Sequence, residues 1–178
     1  MSQFKQLCMS ALEGANWEAP CDVVQACEET GPWLLEEHSM TERLRRYCKE
    51  LRVEVFAQFP VDASQLTLQE RSLLGDENCL VRQVIIYGDN QPWLCARTLM
   101  PQTTLTDNEK DIADLGDIPL GERVFRFGEA RRDAIEVARV EMVPHALLAR
   151  RSRLWVNNKP LLVAELFLPD APVYAKER

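Results

Sequence analysis

The stretch that decides the fold covers residues 150–169 and reads RRSRLWVNNKPLLVAELFLP. At its centre lie Asn157 and Asn158, two residues that tolerate the positive φ angles of a tight hairpin turn. The apolar runs on either side of this turn, residues 154–156 and 161–168, predict two antiparallel strands. The sequence therefore predicts a β-hairpin here, and the rest of the fold is worked out from it.

An acidic residue interrupts the second strand of this hairpin. One face of that strand consists of Leu161, Val163, Glu165 and Phe167. Apart from Glu165 the run is wholly apolar, so both faces of the strand are expected to be buried. A carboxylate is costly there unless it is paired, hydrogen-bonded or protonated. Two interpretations stay open: a structural ion pair with an arginine, and a ligand-facing or proton-handling carboxylate inside a pocket.

Two further strands each carry a charge inside an apolar run. Residues 79–87 read CLVRQVIIY and contain Arg82, and residues 93–100 read WLCARTLM and contain Arg97. Together with Glu165, these arginines give three interior strands with one ionisable residue each. Such a set indicates either a buried salt-bridge network or a polar pocket for an acidic molecule.

Composition limits the class of protein. The chain has 178 residues, of which 46% are hydrophobic and 28% charged, as expected for one soluble domain with a sizeable core. Its net charge of −7 argues against a general nucleic-acid binder. We expect no signal peptide and no membrane span, because the N-terminal residues never sustain an apolar run. The six cysteines form no C-x-x-C pair, which predicts free thiols in a reducing cytoplasm.

A capping box precedes the first strand. Ser39 and Glu42 have the spacing in which each side chain bonds the backbone of the other residue, and they predict a helix over roughly residues 40–50. The first backbone N–H groups of a helix lack intrahelical partners and can hold an anion. Met40 occupies that first turn, so its N–H is a candidate donor.

A second helix start is expected further along the chain. Thr106 and Glu109 form another apparent capping box, opening a helix that Gly116 closes. Pro119 then suits the first position of a new helix, and Leu120 follows it with a second spare N–H. Backbone donors at Met40 and Leu120 are therefore available to an acidic ligand.

The order of elements predicts the fold class. Residues 51–59 and 132–139 supply further strands, which makes about six. Residues 143–149 are expected to form a connector, and His145 within it receives no role. The links between strands are tight turns or short helices, too brief for parallel crossovers. We therefore predict an α+β protein with a single antiparallel sheet of about six strands and short helices packed on a face of it.

Several chemistries are not indicated by the sequence. Seven glycines form no phosphate-binding loop, and two histidines with scattered cysteines form no metal cluster. There is also no G-x-S-x-G nucleophile elbow. What remains is a site without metal or cofactor, built from arginine, glutamate and backbone amides.

These residues also carry a resemblance to a known family. The matching pieces, in family order, are LLEEHSMTERL, LVRQVIIYGDNQPWLCARTLMP, IPLG, RDAIEV and RRSRLWVNNKPLLVAELFLPDAPVY. They extend from Leu34 to Tyr174, and together they resemble the chorismate pyruvate-lyase family. The resemblance implies a single chorismate lyase-like domain over residues 1–178, in which residues 1–33 form a helical N-terminal extension.

The resemblance implies a carbon–oxygen lyase. Members of the family eliminate pyruvate from chorismate to give 4-hydroxybenzoate, the first step of ubiquinone biosynthesis, without metal or cofactor. The implied protein is a cytoplasmic monomer that binds a small molecule and neither nucleic acid nor a membrane. An alternative is a non-catalytic sensing or carrier domain of the same fold, as in bacterial transcription regulators. Because only about fifty acid-rich residues precede the first strand here, without a recognition helix, we expect the enzyme.

The family's functional residues fall on definite positions of this chain. Its binding arginine corresponds to Arg82, its acidic residue to Glu165, and its backbone contacts to Met40 and Leu120. Arg82 and Glu165 are thus the expected catalytic residues, and Glu165 either orients the 4-hydroxyl of chorismate or removes the proton from C4. Arg97 is a further candidate, which either stabilises the departing enolpyruvyl group or pairs with Glu165.

Overall fold

A single antiparallel sheet forms the framework of the protein. The computed structural model describes residues 2–21, 27–128 and 130–175. Its strands are β1 (Leu51–Val61), β2 (Cys79–Gly88), β3 (Gln91–Pro101), β4 (Arg131–Met142), β5 (His145–Val156) and β6 (Lys159–Phe167). They are arranged in the order β1-β2-β3-β6-β5-β4, with every neighbouring pair antiparallel. This confirms the α+β class and the sheet of six strands.

Short helices connect and cover the strands. They are α1 (Gln3–Glu13), α2 (Gly31–Leu34), α3 (Met40–Arg45), α4 (Leu68–Leu74) and α5 (Leu120–Phe125), with 3₁₀ turns at Ala63–Gln65, Asp107–Asp114 and Pro172–Tyr174. Within the described ranges, every helix is too short or too polar to cross a membrane. The part of the N-terminal extension that falls on residues 22–26 lies outside the described residues.

The hairpin that the sequence places at residues 150–169 is present. Asn157 and Asn158 have φ angles of 49° and 61°, the left-handed conformation that a two-residue hairpin turn requires. On the other side of β6, residues 94–99 of β3 pair with residues 162–167. Strand β6 therefore has a neighbour on each side and lies inside the sheet, as its apolar run predicts.

The helices pack on both faces of the sheet, whereas the sequence interpretation placed them on one. Cys8 and Leu12 of α1 pack with Ile85 and Leu166 on one face. Trp33 and Leu44, from α2 and α3, pack with Phe167 on the other. Two faces are covered because successive residues of β2, β3 and β6 are apolar on both sides, so each side needs its own cover.

Three local expectations are wrong. Helix α3 ends at Arg45, not near residue 50, because the N–H groups of Lys49 and Glu50 both donate to the carboxylate of Asp89, at 2.9 Å each. Strand β5 begins at His145, so most of the expected connector is strand. Pro119 is the N-cap of α5 and not its first helical residue.

The capping box expected at Thr106 is also absent. Residues 107–114 form a 3₁₀ helix, and the Thr106 side chain makes no capping bond. Glu109 instead accepts hydrogen bonds from the Lys159 ammonium, at 2.8 Å, and from the Asn157 amide. The Glu109 carboxylate is therefore bound by Lys159, which is distant in sequence, and does not form the expected bond to the Thr106 N–H.

Candidate functional site

A cavity lies between the sheet and the first residues of α3 and α5. Most of its wall is apolar and comes from the strands, including Val84, Ala96 and Val163. The four positions that the family resemblance marks all line this one cavity: Met40, Arg82, Leu120 and Glu165. Enclosed apolar walls with a few polar groups are the usual form of a small-molecule site.

The strand register determines which side chains form the floor. One row across the sheet runs from Arg82 through Thr98 and Val163 to Ser152. The adjacent row on the same face runs through Val84, Ala96, Glu165 and Arg150. Because side chains two positions apart on a strand share a face, Arg82 and Glu165 point to the same side of the sheet.

Arg82 is a buried cation whose hydrogen bonds, within the described residues, go to backbone carbonyl groups. It is only 3% exposed, and its Nη2 donates to the carbonyl oxygens of Gly116 at 2.7 Å and Ile118 at 3.2 Å. Within the described part of the chain, no carboxylate lies at ion-pair distance from it. Burial lowers the pKa of Arg82, an effect that Asp117 partly opposes. The same side chain therefore anchors the segment that leads into α5 and leaves its charge available to an anion.

Glu165 forms the buried ion pair that one of the sequence interpretations required. The Nε of Arg150 donates to its Oε2 at 2.5 Å, and Nη1 of the same guanidinium donates to the carbonyl oxygen of Glu36 at 2.7 Å. Arg150 is fully buried. Because Glu165 also lines the cavity, the two interpretations left open by the sequence are compatible.

The starts of α3 and α5 meet at the roof of the cavity. The Ser39 hydroxyl accepts from the Glu42 N–H at 3.3 Å, which confirms the N-cap, but among the described residues the reciprocal bond from the Ser39 N–H to the Glu42 side chain, expected for a full capping box, is not formed. Among the described residues, neither the Met40 N–H nor the Leu120 N–H has an acceptor. A Cβ atom on Gly121 would lie 2.7 Å from the Ser39 Oγ, so the two helix starts can be this close only because residue 121 is glycine.

Arg97 lies on the opposite face of the sheet. Its Nη1 pairs with Glu70 at 2.7 Å, its Nε lies 3.6 Å from Glu13, and it lines a different cavity. The idea that it pairs with Glu165 is therefore wrong. The reason is the register: Ala96 lies directly opposite Glu165, so the next residue along β3 points away.

Sequence reasoning missed two arginines on the site face. Arg150 holds Glu165, and Arg132 of β4 lines the cavity and bonds Ser152. A signal for Arg150 was present, since in the run RRSR it shares a face with Ser152 whereas Arg151 does not. Its partner could not be identified without knowing that residues 150 and 165 are opposite each other.

This fold and site together define a domain whose antiparallel sheet forms one wall of a cavity that contains a buried cation and two unpaired backbone N–H donors among the described residues. A model of the family described as "Chorismate lyase" matches residues 11–178. The chain therefore belongs to the chorismate lyase family.

Named relatives cover nearly the whole chain. A protein named probable chorismate pyruvate-lyase from Photobacterium profundum is 52% identical over 178 residues, which is 100% of this chain and 99% of that protein. One named chorismate pyruvate-lyase from Pectobacterium atrosepticum is 41% identical over 147 residues, covering 83% of this chain and 81% of the relative.

Solved structures share the fold at low identity. The effector domain of PhnF from Mycobacterium smegmatis superposes with a TM-score of 0.52 at 12% identity, covering 75% of this chain and 90% of that one. A GntR-family transcriptional regulator from Bacillus cereus gives a TM-score of 0.50 at 10% identity, with 73% and 98% coverage. These likenesses concern the fold alone.

Proposed function

We propose that this protein eliminates pyruvate from chorismate to give 4-hydroxybenzoate, the reaction that opens ubiquinone biosynthesis. The observation that carries the proposal is that Met40, Arg82, Leu120 and Glu165 line one cavity, although they come from four separate elements. Membership of the chorismate lyase family, and relatives named for this activity over nearly all of the chain, support it.

The ring carboxylate of chorismate binds at the Arg82 end of the cavity. Arg82 supplies the charge, and the free N–H groups of Met40 and Leu120 supply two directed donors. Charge-assisted bonds of this kind are about twice as strong as neutral ones, and a guanidinium fork suits a carboxylate. The ring then points its 4-hydroxyl towards Glu165, whose carboxylate accepts a hydrogen bond from it.

The reaction breaks two bonds on the ring and needs no external oxidant or reductant. The C3–O bond cleaves, and its electron pair leaves with the enolpyruvyl oxygen. The C4–H bond gives its electrons to the ring, which becomes aromatic as 4-hydroxybenzoate. The C4 proton goes to the methylene carbon of the leaving group, which becomes the methyl group of pyruvate. Orientation of the ring and electrostatic support for the leaving oxygen supply most of the rate.

Glu165 orients the substrate in this mechanism and does not take the C4 proton. Its ion pair with Arg150 supports this role, because the guanidinium holds the carboxylate in a fixed orientation on the cavity wall. The leaving group offers an internal proton acceptor. Arg97 has no part in the proposed site, since it lies on the opposite face of the sheet.

The whole chain acts as one domain and as a monomer. All four proposed contacts belong to the same chain, so one copy suffices for a complete site. The free state of all six cysteines fits a reducing cytoplasm.

One experiment separates a catalyst from a binding domain. Purified protein is incubated with chorismate while 4-hydroxybenzoate absorbance is recorded and pyruvate is measured in parallel with lactate dehydrogenase. Equal amounts of the two products, formed in proportion to protein, are expected. Binding of 4-hydroxybenzoate without turnover of chorismate would instead make the protein a sensor or carrier of the same fold.

A further inference from the structure

We propose that Arg132 is a second anion-binding residue of the cavity, which takes the enolpyruvyl carboxylate of chorismate and so distinguishes substrate from product. This inference rests on the proposed function and extends it. Arg82 holds the ring carboxylate that substrate and product share. Arg132 holds the carboxylate that only the substrate carries.

Among the described residues, Arg132 donates hydrogen bonds to neutral acceptors. Its Nε donates to the carbonyl oxygen of Glu37 at 3.3 Å, its Nη2 to that of His38 at 3.2 Å, and its Nη1 to the Ser152 hydroxyl. No carboxylate of the described residues lies at ion-pair distance from it. Burial, with repulsion from Arg150, lowers its pKa to about 10, so the guanidinium is still positive at neutral pH.

The neighbouring arginines of β5 differ from Arg132 in having carboxylate counter-ions. Each pairs with a carboxylate: Arg150 with Glu165, Arg151 with Glu136 and Arg153 with Asp133. Two of these pairs join β5 to β4, the strand that carries Arg132. Among the described residues, Arg132 has no such counter-ion although it is partly buried and lines the cavity, so an anion that joins it there would stabilise its charge.

The charge of the cavity wall matches a dianion. Three ionisable residues line the cavity among those described: Arg82, Arg132 and Glu165. Arg150 already balances Glu165. Two positive charges remain, both bonded to neutral oxygens. Chorismate carries two carboxylates and 4-hydroxybenzoate carries one, so only the substrate neutralises both arginines.

The positions of the two cations follow the layout of the substrate. The floor row from Arg82 to Ser152 spans three strand spacings, roughly 14 Å between Cα atoms. Arg132 reaches the far end of this row, where it bonds Ser152 and experiences the attraction of Glu165. On the chorismate ring, C3 bears the enolpyruvyl ether and adjoins C4, whose hydroxyl is assigned to Glu165. The second carboxylate therefore belongs on the Arg132 side.

The same position makes Arg132 useful in the chemical step. As the C3–O bond breaks, negative charge grows on the enolpyruvyl oxygen, close to the carboxylate that Arg132 holds. A positive charge fixed there stabilises that change more than it stabilises the ground state. Loss of Arg132 should therefore lower kcat as well as raise KM for chorismate.

The test compares two ligands that differ in the second carboxylate. The probes are 4-hydroxybenzoate and the stable dicarboxylate 3-(carboxymethoxy)-4-hydroxybenzoate, titrated calorimetrically into wild type, Arg132→Gln and Arg132→Lys. For Arg132→Gln, the Kd of the dicarboxylate should rise by about tenfold or more, and kcat/KM for chorismate should fall at least as much. The Kd of 4-hydroxybenzoate should change by less than about threefold, because its single carboxylate stays on Arg82.

Two further variants make the result decisive. Arg131→Gln removes a positive charge one position earlier on β4, from an exposed side chain beside Trp155, and should leave both titrations unchanged. Arg132→Lys keeps the charge but loses the planar fork, and should retain part of the preference for the dicarboxylate. Melting curves of each variant check that the fold is intact.

Several outcomes would overturn the inference. Equal weakening of both ligands in Arg132→Gln would mean that Arg132 acts only by holding the carbonyl groups of residues 37 and 38. Unchanged binding of the dicarboxylate would exclude it as a contact. Failure of the wild-type protein to cleave chorismate would overturn the proposed function instead, and this outcome is distinct because the titrations require no turnover.

Discussion

At the scale of single residues, Arg82 allows the sharpest prediction. Its guanidinium is buried, and its bonds go to backbone carbonyl groups. Arg82→Ala should weaken both chorismate turnover and 4-hydroxybenzoate binding by about tenfold or more, equivalent to about 1.4 kcal/mol, because both ligands lose their ring carboxylate partner. Arg82→Lys should restore part of the loss. Initial rates and calorimetric titration measure the two effects, and normal product binding with a lowered melting temperature would reveal a purely structural arginine.

A second prediction concerns the role of Glu165. Glu165→Gln keeps the shape and a hydrogen-bond acceptor but removes charge and basicity. If the residue orients the 4-hydroxyl, single-turnover product formation should retain a substantial part of the wild-type rate. A loss on the order of a hundredfold with unchanged 4-hydroxybenzoate affinity would instead establish general-base catalysis. The variant should also be less stable, since the buried charge of Arg150 loses its counter-ion.

Residue types were easier to predict than residue partners. Glu165 and Arg82 stand out in the sequence because a charge inside an apolar strand is rare. The partner of Glu165 was not predictable, because it depends on a register that pairs residues 15 positions apart across the hairpin. The face of the sheet that Arg97 occupies was unpredictable for the same reason, since a shift of one residue in the register of β3 would move it to the opposite face.

At the scale of secondary-structure elements, we propose that helix α3 contacts the ligand through the backbone N–H of Met40. Met40→Leu should therefore change 4-hydroxybenzoate affinity only slightly, because the N–H is kept and the side-chain volume is similar. Ser39→Pro removes the cap hydroxyl that accepts from Glu42 and should weaken binding severely. Titration of both variants checks this, and equally large losses would contradict the backbone account.

The contact between α3 and α5 can be tested at Gly121. A methyl group there would lie 2.7 Å from the buried Ser39 hydroxyl oxygen, so Gly121→Ala must push the two helix starts apart. The N–H groups of Met40 and Leu120 then no longer converge, and we expect the product Kd to rise by roughly tenfold. Unchanged affinity in Gly121→Ala would contradict the proposed roof.

Helices, strands and turns were predictable where residues close together in the sequence determine them. Alternating apolar residues and the Asn157-Asn158 turn determine the strands, and Ser39 determines the start of α3. The predicted helix boundaries were wrong where a residue distant in sequence binds a group that was expected to bond locally. Asp89 accepts from the Lys49 N–H beyond the end of α3, and Lys159 binds the Glu109 carboxylate that was expected to cap a helix. Neither contact can be read from a window of ten residues.

At the scale of the whole molecule, the single-domain proposal predicts one cooperative unfolding transition. The cavity is lined by residues from all six strands β1 to β6 together with α3 and α5, so a bound ligand stabilises the assembly as a unit. At a product concentration of about 100 times Kd, 4-hydroxybenzoate should add about 2.7 kcal/mol of stability. For a chain of this size that corresponds to a rise in Tm of about 5–10 °C.

Calorimetric scans with and without 4-hydroxybenzoate measure this shift. Arg82→Ala is the matched control, because it should unfold in one transition that the same product concentration stabilises by only about 1.4 kcal/mol or less, given a Kd about tenfold higher or more. Two separated transitions in the wild type, with only one of them moved by product, would contradict the single domain.

The order of the strands also has a consequence for synthesis of the chain. Strand β3 ends at Pro101, but its partner β6 ends only at Phe167. While the ribosome makes the intervening residues, at roughly 5–20 residues per second, the apolar edge at residues 94–99 stays unpaired for several seconds. An open apolar edge invites pairing with other chains. Nascent molecules are therefore most prone to aggregate during that interval, and slow codons between positions 101 and 167 would lower the yield of folded protein.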